Sequence, residues 1–112
     1  MHEFGLCEGV LETVERRAAG RPVDAFRVRV GALHRVSEEA FDQAFEMVSA
    51  GSVAEGADVE LFVVPVSIRC RGCGHASETD DPFGACPACG GTDLEMEGGD
   101  ELILEWIRIA PS

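Results

Sequence analysis

The chain contains no lysine. All nine of its basic residues are arginine, against 21 acidic ones, and the formal charge is −12 over 112 residues. A Schiff-base lysine and a phosphate-loop lysine are therefore both excluded. No Gly-x-Ser-x-Gly elbow is present either, so an independent nucleotide hydrolase or serine hydrolase is not expected. The shortage of basic residues disfavours nucleic acid and anionic membrane, since both demand a positive face. It suits a metal cation, or a partner with a basic patch. No charged-then-apolar signal segment opens the chain, and no apolar run approaches membrane-spanning length. The expected location is cytoplasmic, where thiols stay reduced and available to metal.

Thiols are what the chain does have. Cys70-Arg71-Gly72-Cys73-Gly74 is followed by Cys86-Pro87-Ala88-Cys89-Gly90, with twelve residues between Cys73 and Cys86. The two-residue spacer lets both sulfurs of a pair face one point. The glycine after the second cysteine frees the backbone to curl, so that its amides can point at the sulfurs. Four soft thiolates select zinc, with iron as the chemical competitor. Two disulfides or four plain buried cysteines are the bland alternatives. With cysteine at all four positions no site is left for water, so a zinc here holds a fold together rather than doing chemistry. The fifth thiol, Cys7, falls on an apolar helix stripe and reads as core.

The length suits one ordinary domain, or a small domain carrying a metal-stapled subdomain. From Phe4 to Ala19, Leu6, Cys7, Val10, Leu11, Val14 and Ala18 recur at helical spacing, and Gly20 and Pro22 close that helix. Asp24 to Gly31 alternates as a half-buried strand, with Phe26, Val28 and Val30 on one face and Arg27 and Arg29 on the other. Ser37 caps a second helix whose stripe is Phe41, Ala44, Phe45 and Val48. Val59 to Ile68 reads as one strand with an edge or bulge at Pro65. His75 to Ala85 is polar, with a turn at Asp80-Asp81-Pro82-Phe83-Gly84. Leu102 to Ile109 is apolar on both faces and is expected to be central in a sheet.

The fold class is α+β. A small three-stranded sheet with two helices, from residues 1–66 plus 100–112, carries an inserted zinc-ribbon-like subdomain at 67–99. Monomer and homodimer are both compatible with the sequence.

Met1-His2-Glu3 offers a second metal chemistry. A histidine near a terminus is usually just solvated. Yet a free amine, a deprotonated backbone amide and an imidazole at this spacing form fused chelate rings around a square-planar ion. Nitrogen ligands in that geometry favour nickel(II) or copper(II) over zinc. Methionine is normally removed only before a small residue, so Met1 is expected to stay. Glu3 adds its amide nitrogen or its carboxylate, and protons compete for every ligand.

The Met-His-Glu start, the helix, the strand ending in Gly31, the Ser/Glu-led helix, the loop Gly51-Ser52-Val53-Ala54-Glu55-Gly56-Ala57 and the paired Cys-x-x-Cys motifs together resemble the HypA/HybF family. These are the nickel metallochaperones of [NiFe]-hydrogenase maturation, and the resemblance covers essentially the whole chain. It implies that His2 is the primary nickel ligand, with Met1 and Glu3 as co-ligands. It implies that Cys70, Cys73, Cys86 and Cys89 hold a structural Zn2+, and that Ni2+ is cargo rather than cofactor. The implied partners are a nickel-maturation GTPase like HypB, the hydrogenase large subunit and, in some relatives, the urease system. The chain would then be a carrier and not an enzyme.

One departure stands out. Where several family members carry an acidic residue at the start of the second helix, this chain has Ser37 followed by Glu38. Glu38 could serve as a weak extra ligand, or with Glu39 simply complement the helix dipole. His34 is a candidate auxiliary ligand or a solvated loop histidine. His75 sits beside a metal already satisfied by four thiolates. Two other function classes compete: a rubredoxin-like electron carrier with iron in the same knuckles, and a zinc-ribbon nucleic-acid or interaction module.

Overall fold

A computed structural model describes residues 2–81 and 84–111, without the side chain of His2. In chain order the elements are α1 (His2–Ala18), β1 (Val23–Gly31), a 3-10 turn η1 (Ala32–His34), α2 (Glu38–Val48), β2 (Asp58–Val64), β3 (Val66–Cys70), β4 (Ala76–Thr79), β5 (Leu94–Glu97) and β6 (Leu102–Ile109). One three-stranded sheet has the order β2-β1-β6, and a second has the order β4-β3-β5. The chain divides into two compact units, Met1–Arg29, Val36–Phe62 and Ile103–Ser112 on one side, Val30–Arg35 and Val63–Leu102 on the other. No helix among the described residues is long and apolar enough to cross a membrane.

The first unit is built by its helices. Cys7, Val10, Val14 and Ala18 line the buried face of α1, one to each turn, as the sequence spacing requires. They meet Phe41, Ala44 and Phe45 of α2 and Val23, Phe26 and Val28 of β1 in a single apolar core. Phe26 and Phe45 form its centre, with ring centroids 4.9 Å apart and planes inclined by 57°. Ala19 (φ 53°) and Gly20 (φ 86°) both turn left-handed to end α1. The Ser37 hydroxyl accepts from the Ala40 amide at 3.1 Å, capping α2. On the sheet's other face Arg27 of β1 reaches both neighbours at once. It donates to Glu105 of β6 at 2.7 Å and to Glu60 of β2, and its guanidinium lies 5.2 Å from the centre of the Phe62 ring.

Three expectations change. Val59 to Ile68 is not one strand. Pro65 has no N–H to give to a ladder, so pairing stops there, and β3 leaves for the second sheet. The last strand, β6, is an edge and not the centre, which belongs to β1. Leu104 is 9% exposed and joins the core, while Ile103 and Trp106 remain 40% and 39% exposed. The first helix also starts earlier, at His2, so His2 and Glu3 belong to α1.

The second unit is a small antiparallel sheet around β3. Ile68 pairs with Ser77 of β4 on one side and with Met96 of β5 on the other. β4 lies in the stretch that reads as polar, and four residues in each flanking strand give too short a pattern to declare themselves. Pro82 and Phe83 of the expected turn lie outside the described residues. The turn's described flank is held by Thr79, whose hydroxyl accepts from the Asp81 amide at 3.0 Å.

Within this unit the chain crosses itself closely. Gly31 donates to the Glu101 carbonyl at 2.7 Å and Leu33 to the Gly99 carbonyl at 2.8 Å. A Cβ on Gly31 would sit 2.0 Å from the carbonyl carbon and oxygen of Gly99, and one on Gly99 would sit 2.4 Å from Val66 Cγ2. Backbone cannot step aside as a flexible side chain can. Gly31→Ala is therefore expected to destabilise the protein by about 3 kcal/mol, the upper end for inserting a methyl group into packed structure. Gly9→Ala in α1, where nothing lies within 4 Å, is expected to stabilise by about 1 kcal/mol through helix propensity. Thermal unfolding of both variants beside the parent checks the pair. Equal midpoints for the two would mean that the crossing is looser than it stands here.

Candidate metal centre

Cys70 ends β3, and Cys73 follows in the tight turn beyond it. The amide of Gly74 donates to the Cys70 carbonyl at 2.8 Å, and Cys70 N–H donates to the His75 carbonyl at 2.9 Å. The second knuckle repeats the same closure. Gly90 donates to the Cys86 carbonyl at 2.8 Å and Cys86 to the Gly91 carbonyl at 2.8 Å. Gly74 (φ 80°) and Gly90 (φ 76°) are both left-handed, which is why a glycine follows each Cys-x-x-Cys. The sulfurs receive backbone N–H groups in turn. Ala88 donates to Cys86 Sγ and Gly91 to Cys89 Sγ, each at 3.4 Å.

The four sulfurs lie within 4.8 Å of one another, and no other group of three or more potential ligands converges so closely among the described residues. Cys70 and Cys89 Sγ are 3.6 Å apart, and Cys73 and Cys86 Sγ are 3.7 Å apart. A disulfide would bring a pair to about 2.05 Å. Tetrahedral thiolates about 2.3 Å from one ion would stand about 3.8 Å from each other. The donor set therefore fits a metal, and the disulfide and buried-thiol alternatives do not fit: Cys73 and Cys89 are exposed. Cys70 and Cys86 are buried, so the cluster has a wet side and a dry side.

The electrostatics support the same assignment. Amide donation from Cys89, outweighing burial, holds the Cys86 thiol down at about 6. The His75 amide favours the Cys73 thiolate as well, but burial and the neighbouring sulfurs prevail and push that thiol up to about 12. The Cys86 thiol is thus held low while those of Cys73 and Cys89 are pushed up. A dication satisfies all four at once, and its binding has to displace the protons still held.

Cys7 lies elsewhere. It is fully buried on α1, with its thiol 3.5 Å from the Phe41 carbonyl. Burial first, then the Glu3 and Asp42 carboxylates, push it up to about 12. Such a thiol is inert core, as its place on the stripe implied. His34 is committed within the second unit, where Nε2 lies 2.9 Å from the Asp100 carbonyl and must carry the hydrogen. That ring nitrogen is a donor that pins η1 and is not free to bind a metal. His75 contributes its carbonyl to the first knuckle, and its side chain is exposed.

His2 is the first residue of α1 and Glu3 stands in its first turn, while Met1 and the His2 side chain lie outside the described residues. Glu3 lines a groove with Phe4, Ala40, Gln43, Ala44 and Met47. Glu38 is exposed in the first turn of α2, the place a helix dipole favours for an acid. Sequence reasoning missed Asp42, which faces the same part of α1 closely enough to disturb Cys7. Its four-residue spacing from Glu38 was the available signal.

Residues 1–109 match the protein-family model described as "Hydrogenase/urease nickel incorporation, metallochaperone, hypA". The chain is 37% identical to hydrogenase maturation factor HypA 2 of Bradyrhizobium diazoefficiens over 112 residues, covering 97% of this chain and 99% of that one. It is 40% identical to hydrogenase maturation factor HypA of Cereibacter sphaeroides, with the same coverage. The solution structure of the Ni metallochaperone HypA from Helicobacter pylori superposes with a TM-score of 0.59 over 100% of both chains at 19% identity, a likeness of fold. A match of this extent leaves rubredoxin-like carriers and nucleic-acid ribbons without a claim on the α1–α2 unit, and the chain belongs to the HypA family of hydrogenase/urease nickel-incorporation metallochaperones.

Proposed function

We propose that this protein carries Ni(II) on its N-terminus and hands it, with a GTPase partner of the HypB kind, to the large subunit of a [NiFe]-hydrogenase, and to urease where the cell makes one. The nickel ligands are the Met1 amine, the His2 amide and imidazole, and Glu3 through its amide or carboxylate. The nickel-handling domain is the first unit. In the second unit Cys70, Cys73, Cys86 and Cys89 hold a structural Zn2+. Four thiols kept reduced require a reducing compartment such as the cytoplasm.

The observation that carries the reading is where α1 begins. The first four N–H groups of a helix have no intrahelical acceptor. With α1 starting at His2, the amides of His2 and Glu3 belong to that set. They can lose a proton to a metal without breaking a helical hydrogen bond. The positive end of the helix dipole opposes a bare dication, but each deprotonated amide brings a negative charge to offset it. The balance is a site that is weak and proton-sensitive, which suits cargo that has to be released.

The test is a Ni(II) titration of the zinc-loaded protein with its native N-terminus, beside His2→Ala. Nickel bound by the parent and lost by the variant, with zinc retained in both, is the expected result. Equal binding, or none in either, would make His2 a bystander.

A further inference from the structure

Each knuckle of the four-cysteine cluster contributes one buried and one exposed member. Cys70 and Cys86 are buried, and Cys73 and Cys89 are exposed. The close sulfur contacts run between the knuckles. Exposed Cys89 stands 3.6 Å from buried Cys70, and exposed Cys73 stands 3.7 Å from buried Cys86. Backbone pairing keeps the knuckles side by side. Cys70 is opposite Leu94 in the β3–β5 register, and the Arg71 amide donates to the Asp93 carbonyl at 2.9 Å. A thiol open to solvent, with a second thiol shielded behind it, is the arrangement that oxidants act on. The first is attacked and the second resolves it. Cys7 stands apart from the cluster. It is 0% exposed in the first unit, and its thiol donates to the Phe41 carbonyl at 3.5 Å.

We propose that a hydroperoxide oxidises this cluster across the knuckles, joining Cys70 to Cys89 and Cys73 to Cys86 and freeing the bound ion. The inference rests on the reading that the four thiolates hold a metal, and adds what makes them let go. At each bridge the exposed thiolate attacks one peroxide oxygen. The O–O bond breaks, the sulfur becomes a sulfenic acid, and hydroxide leaves. The buried thiolate of the opposite knuckle then attacks that sulfur. The S–S bond forms, the S–O bond breaks, and a second hydroxide leaves. Both hydroxides take up protons from solvent. Each bridge therefore converts two thiolates, one hydrogen peroxide and two protons into one disulfide and two waters. The first bridge leaves two of the four donors and the second leaves none, because the thiolate is the metal ligand. A dithiol reductant reverses both steps by exchange. The cluster is thus a staple that one class of oxidant opens, sulfur pair by sulfur pair.

The experiment treats the zinc-loaded full chain with hydrogen peroxide and follows two readouts. Zinc is captured by a chromogenic chelator, against a control without peroxide, and disulfides are mapped by peptide mass spectrometry. Metal content before oxidation checks the metal reading by itself, and the bridge map decides the proposal whichever way that check falls. Zinc release that tracks peroxide, at about two equivalents per ion, is expected. The map should show Cys70 joined to Cys89 and Cys73 joined to Cys86, with Cys7 still a free thiol. A dithiol with added zinc should restore both the thiols and the metal content. Cys7→Ser should release zinc at the parent rate, since that thiol takes no part. Three results would overturn the proposal. One is bridges within the knuckles, Cys70 to Cys73 and Cys86 to Cys89. Another is four unreacted thiols in excess peroxide. The third is oxidation of Cys7 as fast as the cluster, which would mean that oxidation follows unfolding and not the sulfur geometry.

Discussion

Removing the metal from the four-cysteine cluster is expected to unfold the second unit and leave the first standing. The two units have very different means of support. The first has a core of a dozen buried residues around Phe26, Phe41 and Phe45. The apolar cluster of the second is only Ala32, Val66 and Ile68, with Leu33, Val63 and Leu94 packed partly against them. Its flanking strands β4 and β5 are four residues each and lie largely at the surface. Fragments this small rarely fold on hydrophobic burial alone and depend on a metal or a disulfide, and all five cysteines here are free. Structural zinc in comparable knuckles supplies on the order of 10–16 kcal/mol of apparent binding energy near neutral pH.

A strong chelator, or Cys86→Ser, should therefore collapse amide protection at Ile68 and Arg69 while Val14, Phe26 and Phe45 stay protected. Hydrogen exchange read residue by residue checks this. Protection that persists in β3 after the metal has gone would mean that the sheet needs no staple. Acid should act like the chelator. Metal binding must displace protons from thiols such as Cys73, raised to about 12, so affinity falls as pH falls.

The knuckles were legible because their grammar is local. Two residues between cysteines, and a glycine after each pair, state the turn, the left-handed φ and the convergence together. The helices were legible for the same reason, since Cys7, Val10, Val14 and Ala18 repeat a period that only a helix satisfies. What failed was non-local. Pro65 announced an interruption, but not that the chain would change sheets there, because a proline reports the lost donor and not the next partner. The apolar pattern of β6 measured how hydrophobic each face is. Which face is covered is settled by strand order, and order depends on β1 lying between β2 and β6 with Arg27 bridging them. β4 and β5 were invisible because Ala76–Thr79 and Leu94–Glu97 become strands by pairing with β3, which runs into the first cysteine knuckle.

Blocking the N-terminus is expected to abolish nickel binding as fully as His2→Ala does, and this separates two versions of the site. If the imidazole of His2 and the carboxylate of Glu3 alone held the ion, a tag of several residues before Met1 would leave both in place and cost little. If the Met1 amine begins the chelate, that tag converts it to an amide. It then has no free lone pair, and the first ring cannot close. Acetylation should do the same with less bulk.

The pH dependence follows from the same ligands. An α-amine ordinarily titrates near 8 and an imidazole near 6.5, and the backbone amides give up protons only to the metal. Each step of acidification returns a proton to a nitrogen that nickel needs, so binding weakens as pH falls, and with more than one proton per ion. Nickel titrations at several pH values, on native, acetylated and tagged chains, with zinc content followed in parallel, provide the measurement. Retained binding in the tagged chain would move the site off the terminus. Loss of zinc along with nickel would mean that the variants had disturbed the fold and not the ligands. Loss of nickel alone, steep in pH, is the behaviour of a terminus that takes up a metal in one setting and yields it to protons or to a better ligand in the next.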